Sequence, residues 1–217
     1  MSYLSKEDAV FAIKKMRNFH RDLQGLMSRN GFDLFDDLGR RNILMSAAQE
    51  KYFSEALGRK HDVSCDGRTG EPDIMIKDID KELECKITSP HKSGAIAFQT
   101  DYATLLKKGK LDYLYVVADR DFEKFAVIHY SDLTVDDFRS LSSGARGKTQ
   151  MKKHAAHDRA SILLGDLESI NNEELSKLNK KLKEASTQSQ KNRINKSIKY
   201  WTETPTKFRV KMEALGD

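Results

Sequence analysis

The chain has 217 residues, of which 38% are hydrophobic and 33% are charged, and its formal net charge is +5. This length suits one substantial core with extensions, and the charged fraction is typical of a soluble protein. No apolar run approaches the roughly 18 residues of a membrane span, and two cysteines can form neither a disulfide scaffold nor a four-cysteine zinc site. We therefore expect a cytoplasmic protein with no membrane partner, whose positive charge permits a polyanionic partner.

Two amphipathic helices are predicted before residue 60. The first runs from Ser5 to about Ser28, because Ser5 is a suitable N-cap and apolar residues then recur with a period of about 3.6. The second runs from roughly Arg41 to Leu57, and Gly58 ends it. We expect the first helix to pack against the rest of the protein or to form a dimer contact.

The second predicted helix carries two carboxylates in different surroundings. Spacing of three and four residues places Glu50 on the face of Phe53 and Leu57, which is expected to point to the core. A carboxylate in that position needs a partner. Glu55 lies on another face, where Lys51 four residues earlier can pair with it.

Two short strands with alternating side chains follow. In residues 82–88 the charged or polar side chains point one way and the apolar ones the other, because successive side chains of a strand alternate. Residues 72–77 form the preceding strand, so a hairpin can bring Asp73 beside Glu84. The resulting geometry predicts a site for a divalent metal ion with Lys86 next to it.

The rest of the sheet is predicted after this hairpin. Residues from about 95 to 108 have the spacing of a helix that carries Gln99, and Gly109 caps it. Residues 111–118 form a β-branched and aromatic run typical of a buried strand, and residues 125–129 form a strand paired with it. Helices and strands in this order predict an α/β fold with a mixed sheet.

The C-terminal third is polar and mainly helical in prediction. Residues 132–138 begin a helix, and residues 142–148 form a flexible basic loop. A highly charged helix covers 171–185, a break follows it, and residues 193–201 form a further helix or continue the previous one. This region supplies much of the basic surface.

The central hairpin resembles the signature of the PD-(D/E)XK nucleases. Pro72-Asp73 is followed after ten residues by Glu84-Cys85-Lys86, with a helix before the hairpin and a helix and buried strand after it. The resemblance covers roughly residues 41–130. It implies an α/β fold with a restriction-endonuclease-like αβββαβ core and a mixed central sheet, plus helical N- and C-terminal extensions.

The resemblance also divides the chain and assigns the central residues. It implies a catalytic core at 41–135, around which we predict an N-terminal helical extension at 1–40 and a basic, mainly helical DNA-binding and supporting region of the same domain at 136–217. Asp73, Glu84 and the backbone carbonyl of Cys85 would bind Mg²⁺. Lys86 would hold and orient the attacking water, whereas the side chain of Cys85 would only pack.

Two further residues receive supporting roles from the resemblance. Glu50 would act in catalysis by binding a second metal ion or a metal-bound water, although Glu55 remains an alternative on the same helix. Gln99 would support the site from the following helix. It also belongs to the candidate DNA contacts, the others being Arg146, Lys148, Lys152, Lys153, Asn192, Arg193, Asn195 and Lys199.

A small basic protein with such a core looks most like a type II restriction endonuclease, a Mg²⁺-dependent enzyme that hydrolyses phosphodiester bonds in double-stranded DNA. Cutting both strands symmetrically would require a homodimer. A junction resolvase or DNA-repair nuclease of the same fold is an alternative. A nucleic-acid-binding protein without catalysis is an alternative of another class, and the intact Asp73, Glu84 and Lys86 argue against it.

Overall fold

The computed structural model describes residues 2–34, 37–65, 72–90, 96–141, 147–169, 171–203 and 208–216. The helices are α1 (Lys6–Arg29), α2 (Leu38–Leu57), α3 (Tyr102–Lys108), α4 (Lys153–Asp158), α5 (Asn171–Glu184) and α6 (Gln188–Glu203). The first strands are β1 (Val63–Ser64), β2 (Ile74–Ile76), β3 (Lys81–Thr88), β4 (Gln99–Asp101), β5 (Leu111–Ala118) and β6 (Lys124–Leu133). The later strands are β7 (Lys148–Gln150), β8 (Ser161–Leu164), β9 (Asp166–Ser169), β10 (Phe208–Lys211) and β11 (Glu213–Ala214).

One seven-stranded sheet organises the molecule, in the order β1-β2-β3-β5-β6-β11, with β8 also paired to β6. Strands β1, β2 and β3 are antiparallel neighbours, β3 and β5 are parallel, and β5 and β6 are antiparallel. Two separate two-stranded ribbons pair β4 with β7 and β9 with β10. The predicted α/β class with a mixed central sheet and helices at both ends is confirmed.

Both faces of the sheet are covered, which explains the composition of β5. All eight residues of β5 are buried, and the predicted bounds of this strand are confirmed. Leu114 and Val116 face a core that includes Ile13 of α1 and Phe53 of α2. Tyr115 belongs to a second core on the opposite face. Helix α1 is therefore part of the main core.

The N-terminal helices follow the prediction closely. The hydroxyl of Ser5 accepts a hydrogen bond from Asp8 N–H while the Asp8 carboxylate accepts one from Ser5 N–H, which makes a capping box at the start of α1. Helix α2 begins at Leu38, three residues earlier than predicted, because the Asp37 carboxylate caps it by accepting from Arg40 N–H.

The predicted helix over residues 95–108 is wrong in its first half. Residues 96–98 have no regular structure and Gln99 lies in β4, so the helix α3 has only seven residues. Thr100 bonds to the hydroxyl of Tyr113 at 2.7 Å, and β4 pairs with β7. These tertiary contacts override the local helical spacing. The cap at Gly109, which has a φ of +78°, is confirmed.

The predicted helix over 132–138 is also wrong. Strand β6 continues to Leu133, well beyond the predicted end at residue 129, and only a 3₁₀ turn follows at Val135–Asp137. Thr134 and Asp137 form a capping box at the start of this turn. The chain leaves the turn at once because Phe138 bridges to Met151 next to β7.

The C-terminal helices α5 and α6 are confirmed as two separate helices. The break spans residues 185–187, and α6 begins at Gln188, before the predicted start at 193. Most of the predicted basic loop, residues 142–146, lies outside the described residues, and Lys148 belongs to β7. No helix within the described ranges has both the length and the apolar character to cross a bilayer.

Candidate active site

The two carboxylates and the lysine of the predicted signature lie together in the structure. Lys86 Nζ is 2.7 Å from Glu84 Oε2 and 3.7 Å from Asp73 Oδ2. Asp73 Oδ2 also accepts a hydrogen bond from Cys85 N–H at 2.7 Å. All three charged side chains are partly buried, with exposed fractions of 25% for Asp73, 16% for Glu84 and 33% for Lys86. The residues therefore share one small, partly desolvated space.

The hairpin formed by β2 and β3 creates this arrangement. Its register pairs Ile74 with Leu83 and Ile76 with Lys81, so that Asp73, just before β2, reaches the neighbourhood of Cys85. Ile74, Ile76 and Leu83 are fully buried. Because the apolar side chains anchor one face of both strands, the charged side chains of β3 project from the other, as the alternation predicted.

The electrostatics of Lys86 are dominated by its two acidic neighbours. Burial on its own would lower the pKa of the Lys86 ammonium, but the charges of Glu84 and Asp73 outweigh burial and raise the pKa to about 12. The group is therefore an ammonium at neutral pH. It can donate hydrogen bonds to a water or a phosphate oxygen, and it cannot accept a proton there while both carboxylates remain ionised.

Glu50 belongs electrostatically to the same group. It is partly buried on α2, and its pKa is raised first by burial and then by the charge of Asp73, with a smaller effect from Glu84. Glu55 is engaged elsewhere, because Lys15 of α1 lies 2.6 Å from its carboxylate. The expected pairing of Glu55 with Lys51 is wrong, since α1 packs along this face of α2.

Phe53 and Leu57 are buried on α2 as predicted, but the residue buried one turn before Phe53 is Gln49, whereas Glu50 is only partly buried. Gln49 is fully buried and its Nε2 donates to the carbonyls of Leu114 at 3.0 Å and Lys86 at 3.4 Å. The amide thus ties α2 to β3 and β5 beside the site. Its spacing of four residues from both Met45 and Phe53 is the sequence signal that could have identified it.

The charge of the cluster suits a divalent cation. Three carboxylates, those of Asp73, Glu84 and Glu50, stand against the single ammonium of Lys86, which leaves two net negative charges. Carboxylate oxygens are the ligands that Mg²⁺ prefers. In the described part of the chain, however, no group of three His, Cys, Asp or Glu side chains has the convergence of a complete metal site. The ligand set of Asp73, Glu84 and the Cys85 carbonyl stays a prediction.

The cysteines take no part in such a site through their side chains. Cys85 is buried in the core, and burial raises the pKa of its thiol well above the ordinary value. A neutral thiol is a poor metal ligand. The expectation that this side chain only packs agrees with its position, and Cys65 is exposed beyond β1.

A cavity of about 300 Å³ opens directly beside Lys86. Its walls come from β3, β5 and the β4–β7 ribbon, and they include Thr88, Gln99, Asp101, Tyr115 and Lys148. Gln99 is therefore close to the candidate site, but from a strand and not from the predicted helix. Pairing of β4 with β7 brings Gln99 and Lys148 to the same cavity although they lie far apart in the sequence.

The other candidate DNA contacts fall into two places. Lys152 and Lys153 lie at the start of α4, where Lys152 Nζ donates to the carbonyl of Asp136 at 2.6 Å. Arg146 lies outside the described residues. The remaining four are exposed on α6, namely Asn192, Arg193, Asn195 and Lys199.

Comparison with family models, with curated proteins and with solved structures finds no match for this chain. The function has therefore to be inferred from the arrangement of the protein's own residues.

Proposed function

We propose that this protein is a metal-dependent endonuclease that cuts double-stranded DNA at a defined sequence, as type II restriction enzymes do. The observation that carries the proposal is the convergence of Asp73, Glu84 and Lys86, with the ammonium 2.7 and 3.7 Å from the two carboxylates. The resemblance to the PD-(D/E)XK nucleases adds support. So does the order of α2, three antiparallel strands, α3 and a strand parallel to β3.

Asp73 and Glu84, with the carbonyl of Cys85, would hold a Mg²⁺ ion, which supplies acidity for the attacking water and positive charge against the phosphate. The residues that position these ligands are in place. The Cys85 N–H orients one oxygen of Asp73, and Lys86 orients Glu84. Ligands that are fixed by such contacts need little reorganisation when substrate binds.

Lys86 has a role of its own in this mechanism. Its ammonium would donate a hydrogen bond to the attacking water or to an oxygen of the scissile phosphate, and its charge would stabilise the negative charge that builds up there. Without a bound cation, the charges of Glu84 and Asp73 raise the pKa of Lys86 to about 12, so the free protein carries an ammonium here. Glu50 would accept a proton or a hydrogen bond from water at the edge of the site.

The basic helices support DNA as the substrate. Residues 175–203 contain eight Lys or Arg residues and only two Glu residues. Exposed cations on α6 include Lys191, Arg193, Lys196 and Lys199. Such a surface suits the phosphates of a duplex. Cutting both strands at a palindromic site would use a homodimer, in which each copy supplies one active site.

The test is incubation of the purified protein and Mg²⁺ with a long duplex, followed by sequencing of the ends. We expect discrete fragments from the native protein. Asp73→Asn and Lys86→Ala should each reduce the cutting rate by on the order of 100-fold or more, because each removes a charge that acts on the reacting phosphate.

Lys108→Ala is the matched control. Lys108 of α3 pairs with Glu82 of β3 at 2.8 Å. The variant therefore breaks an ammonium–carboxylate pair that involves the same strand as Glu84 and Lys86 but lies outside the site. It should cut like the native protein. Undiminished cutting by Asp73→Asn would contradict the assignment of the site. Cutting confined to branched or damaged DNA would indicate a resolvase or repair nuclease, and binding without cutting would indicate a non-catalytic protein.

A further inference from the structure

The cavity beside Lys86 has the size and lining of a site for one nucleotide. Its volume of about 300 Å³ lies at the lower end of the range for ligand pockets. Ile87 and Tyr115 contribute apolar and aromatic surface, while Thr88 and Gln99 contribute polar groups. A sugar and a base could therefore contact the apolar part, and their polar edges could contact the rest.

The wall opposite β3 is firmly attached to the sheet. The hydroxyl of Tyr115 donates to the carbonyl of Gln99 at 2.9 Å, and the hydroxyls of Tyr113 and Thr100 are 2.7 Å apart in a buried contact. Tyr113 and Tyr115 are the β5 neighbours of Glu84 and Lys86 in the parallel register. The ribbon is therefore held at a fixed position relative to the candidate catalytic residues.

Lys148 presents a second cation to this cavity. It is exposed on β7, and its Cα partner in the ribbon is Asp101. The carboxylate of Asp101 accepts a hydrogen bond from Thr104 N–H and caps α3. Within the described ranges Lys148 forms no ion pair. Two lysines therefore line the cavity, Lys86 from β3 and Lys148 from β7.

Successive phosphates along one nucleic-acid strand are a ligand that suits two lysines lining one cavity of about 300 Å³. We propose that this cavity holds the nucleotide next to the scissile phosphate, and that Lys148 binds the neighbouring phosphate of the cut strand. The proposal rests on the proposed nuclease function. Lys148 then positions the substrate strand while Lys86 acts at the reacting phosphate.

The first test measures binding without cutting. The affinity of a short duplex that contains the mapped site is measured in EDTA at several salt concentrations for the native protein, Lys148→Ala and Lys148→Arg. Loss of one phosphate contact should lower the slope of log K against log [salt] by about 0.9, and arginine should restore it. Lys107→Ala, an exposed lysine of α3 outside the lining of this cavity, is the control and should leave the slope unchanged.

The second test locates the contact. Uncharged methylphosphonate linkages replace the phosphates near the cut one at a time, and single-turnover cutting is measured with Mg²⁺. We expect Lys148→Ala to slow cutting of the natural duplex by about tenfold or more, and to add nothing further when the neutral linkage lies next to the scissile phosphate. Any effect of Lys107→Ala on the cutting rate should add to the effect of each neutral linkage.

The outcomes separate this inference from the proposed function. The role of Lys148 is overturned if Lys148→Ala has the same salt dependence and the same cutting rate as Lys107→Ala. It is also overturned if the effect of Lys148→Ala on the cutting rate adds to that of every neutral linkage. In both cases the nuclease function stands. If Asp73→Asn cuts normally, the proposed site fails whatever the slope shows. If the native protein binds no duplex, both are overturned.

Discussion

At the scale of single residues, the contacts of Lys86 explain how three charged groups coexist in a partly buried place. The ammonium compensates two carboxylates, and those carboxylates in turn keep it protonated. Glu50 remains the least compensated member, since burial and nearby acids raise its pKa. Such an excess of negative charge costs stability in the absence of a cation, and it is the property that a cation-binding site needs.

A histidine far from this site provides a pH-dependent prediction. His20 is 1% exposed and stacks on Phe122 with ring centroids 4.6 Å apart. Burial, with a contribution from the charge of Arg41, lowers its pKa from the ordinary value of 6.5 to about 4. Between these values the unfolded chain binds the proton and the folded protein does not, so stability should fall by roughly 3 kcal/mol as the pH drops from about 6.5 to 4.

Urea unfolding between pH 7 and pH 4 checks this prediction. His20→Phe keeps an aromatic ring against Phe122 and should remove most of the slope in this window. The buried carboxylate of Asp112 does not produce the same window, because its pKa is lowered from 3.8 and its stabilisation is lost only below that value. Glu50, whose pKa is raised, acts in the opposite sense, because the folded protein binds its proton more readily than the unfolded chain does. An unchanged slope in His20→Phe would show that another group binds the proton.

At the scale of elements, the β4–β7 ribbon and the α5–α6 pair illustrate opposite relations to the core. The ribbon is short but is attached to β5 by two tyrosine hydroxyls. The helices are long, yet no residue of α6 and none of residues 175–184 of α5 is buried. The apolar side chains of α5 and α6 pack mostly against each other, and the cations of both helices remain accessible.

The structure indicates how the helical pair can be removed cleanly. Ser169 and Phe208 are Cα partners at the end of the β9–β10 ribbon, so Asn-Gly in place of residues 170–207 would form a two-residue hairpin turn. We expect this variant to fold with a melting temperature within a few degrees of the native value, because no residue of α6 is buried. Its affinity for duplex DNA should fall. The slope of log K against log [salt] should become shallower by about 0.9 for each phosphate contact that is lost.

A second variant, which keeps residues 170–207, tests whether the helical pair acts through its positive charge or through its shape. Replacing the eight Lys and Arg residues of 175–203 with Gln keeps the helical pair and removes its positive charge. It should match the deletion in DNA affinity and should still cut at the same sequence. Native affinity in either variant would show that the pair does not contribute to DNA binding.

At the scale of the whole molecule, the sheet brings together segments that are far apart in the sequence. Glu50 comes from α2, and Asp73 and Glu84 come from the hairpin. Lys148 comes from the β4–β7 ribbon, much later in the chain. In the unfolded chain the three carboxylates are separated and would bind a cation poorly. Folding would therefore create the proposed cation site, and a cation that bound it would stabilise the folded state.

Calorimetry with Ca²⁺, which has the same preference for carboxylate oxygens, tests this coupling. At a Ca²⁺ concentration 100 times the Kd, the native protein should gain about 2.7 kcal/mol of stability, or roughly 5–10 °C in melting temperature. Asp73→Asn should lose most of this gain. Asp80→Asn removes an exposed carboxylate from the same hairpin, at a left-handed residue that Asn tolerates, and should keep the gain. Equal gains in both variants would place the cation elsewhere.

Local sequence patterns were sufficient to predict the two central strands, β3 and β5. Alternation in residues 82–88 predicted the burial of Leu83 and Cys85, although Ile87 on the same face is only partly buried, and the apolar run 111–118 predicted the central strand. Both depend on the period of side chains along one strand, which the neighbours in sequence determine. The same alternation, with the hairpin, was enough to expect Asp73, Glu84 and Lys86 together.

Only the tertiary structure decided what surrounds these residues. It placed Gln99 in a strand, buried Gln49 against β3 and β5, paired Glu55 with Lys15, and brought Lys148 to the cavity beside Lys86. Each of these contacts joins segments separated by tens of residues, and its free energy comes from pairing and burial between them. The sequence by itself determined the charged hairpin, and the packing of distant segments around it decided the shape of the candidate site.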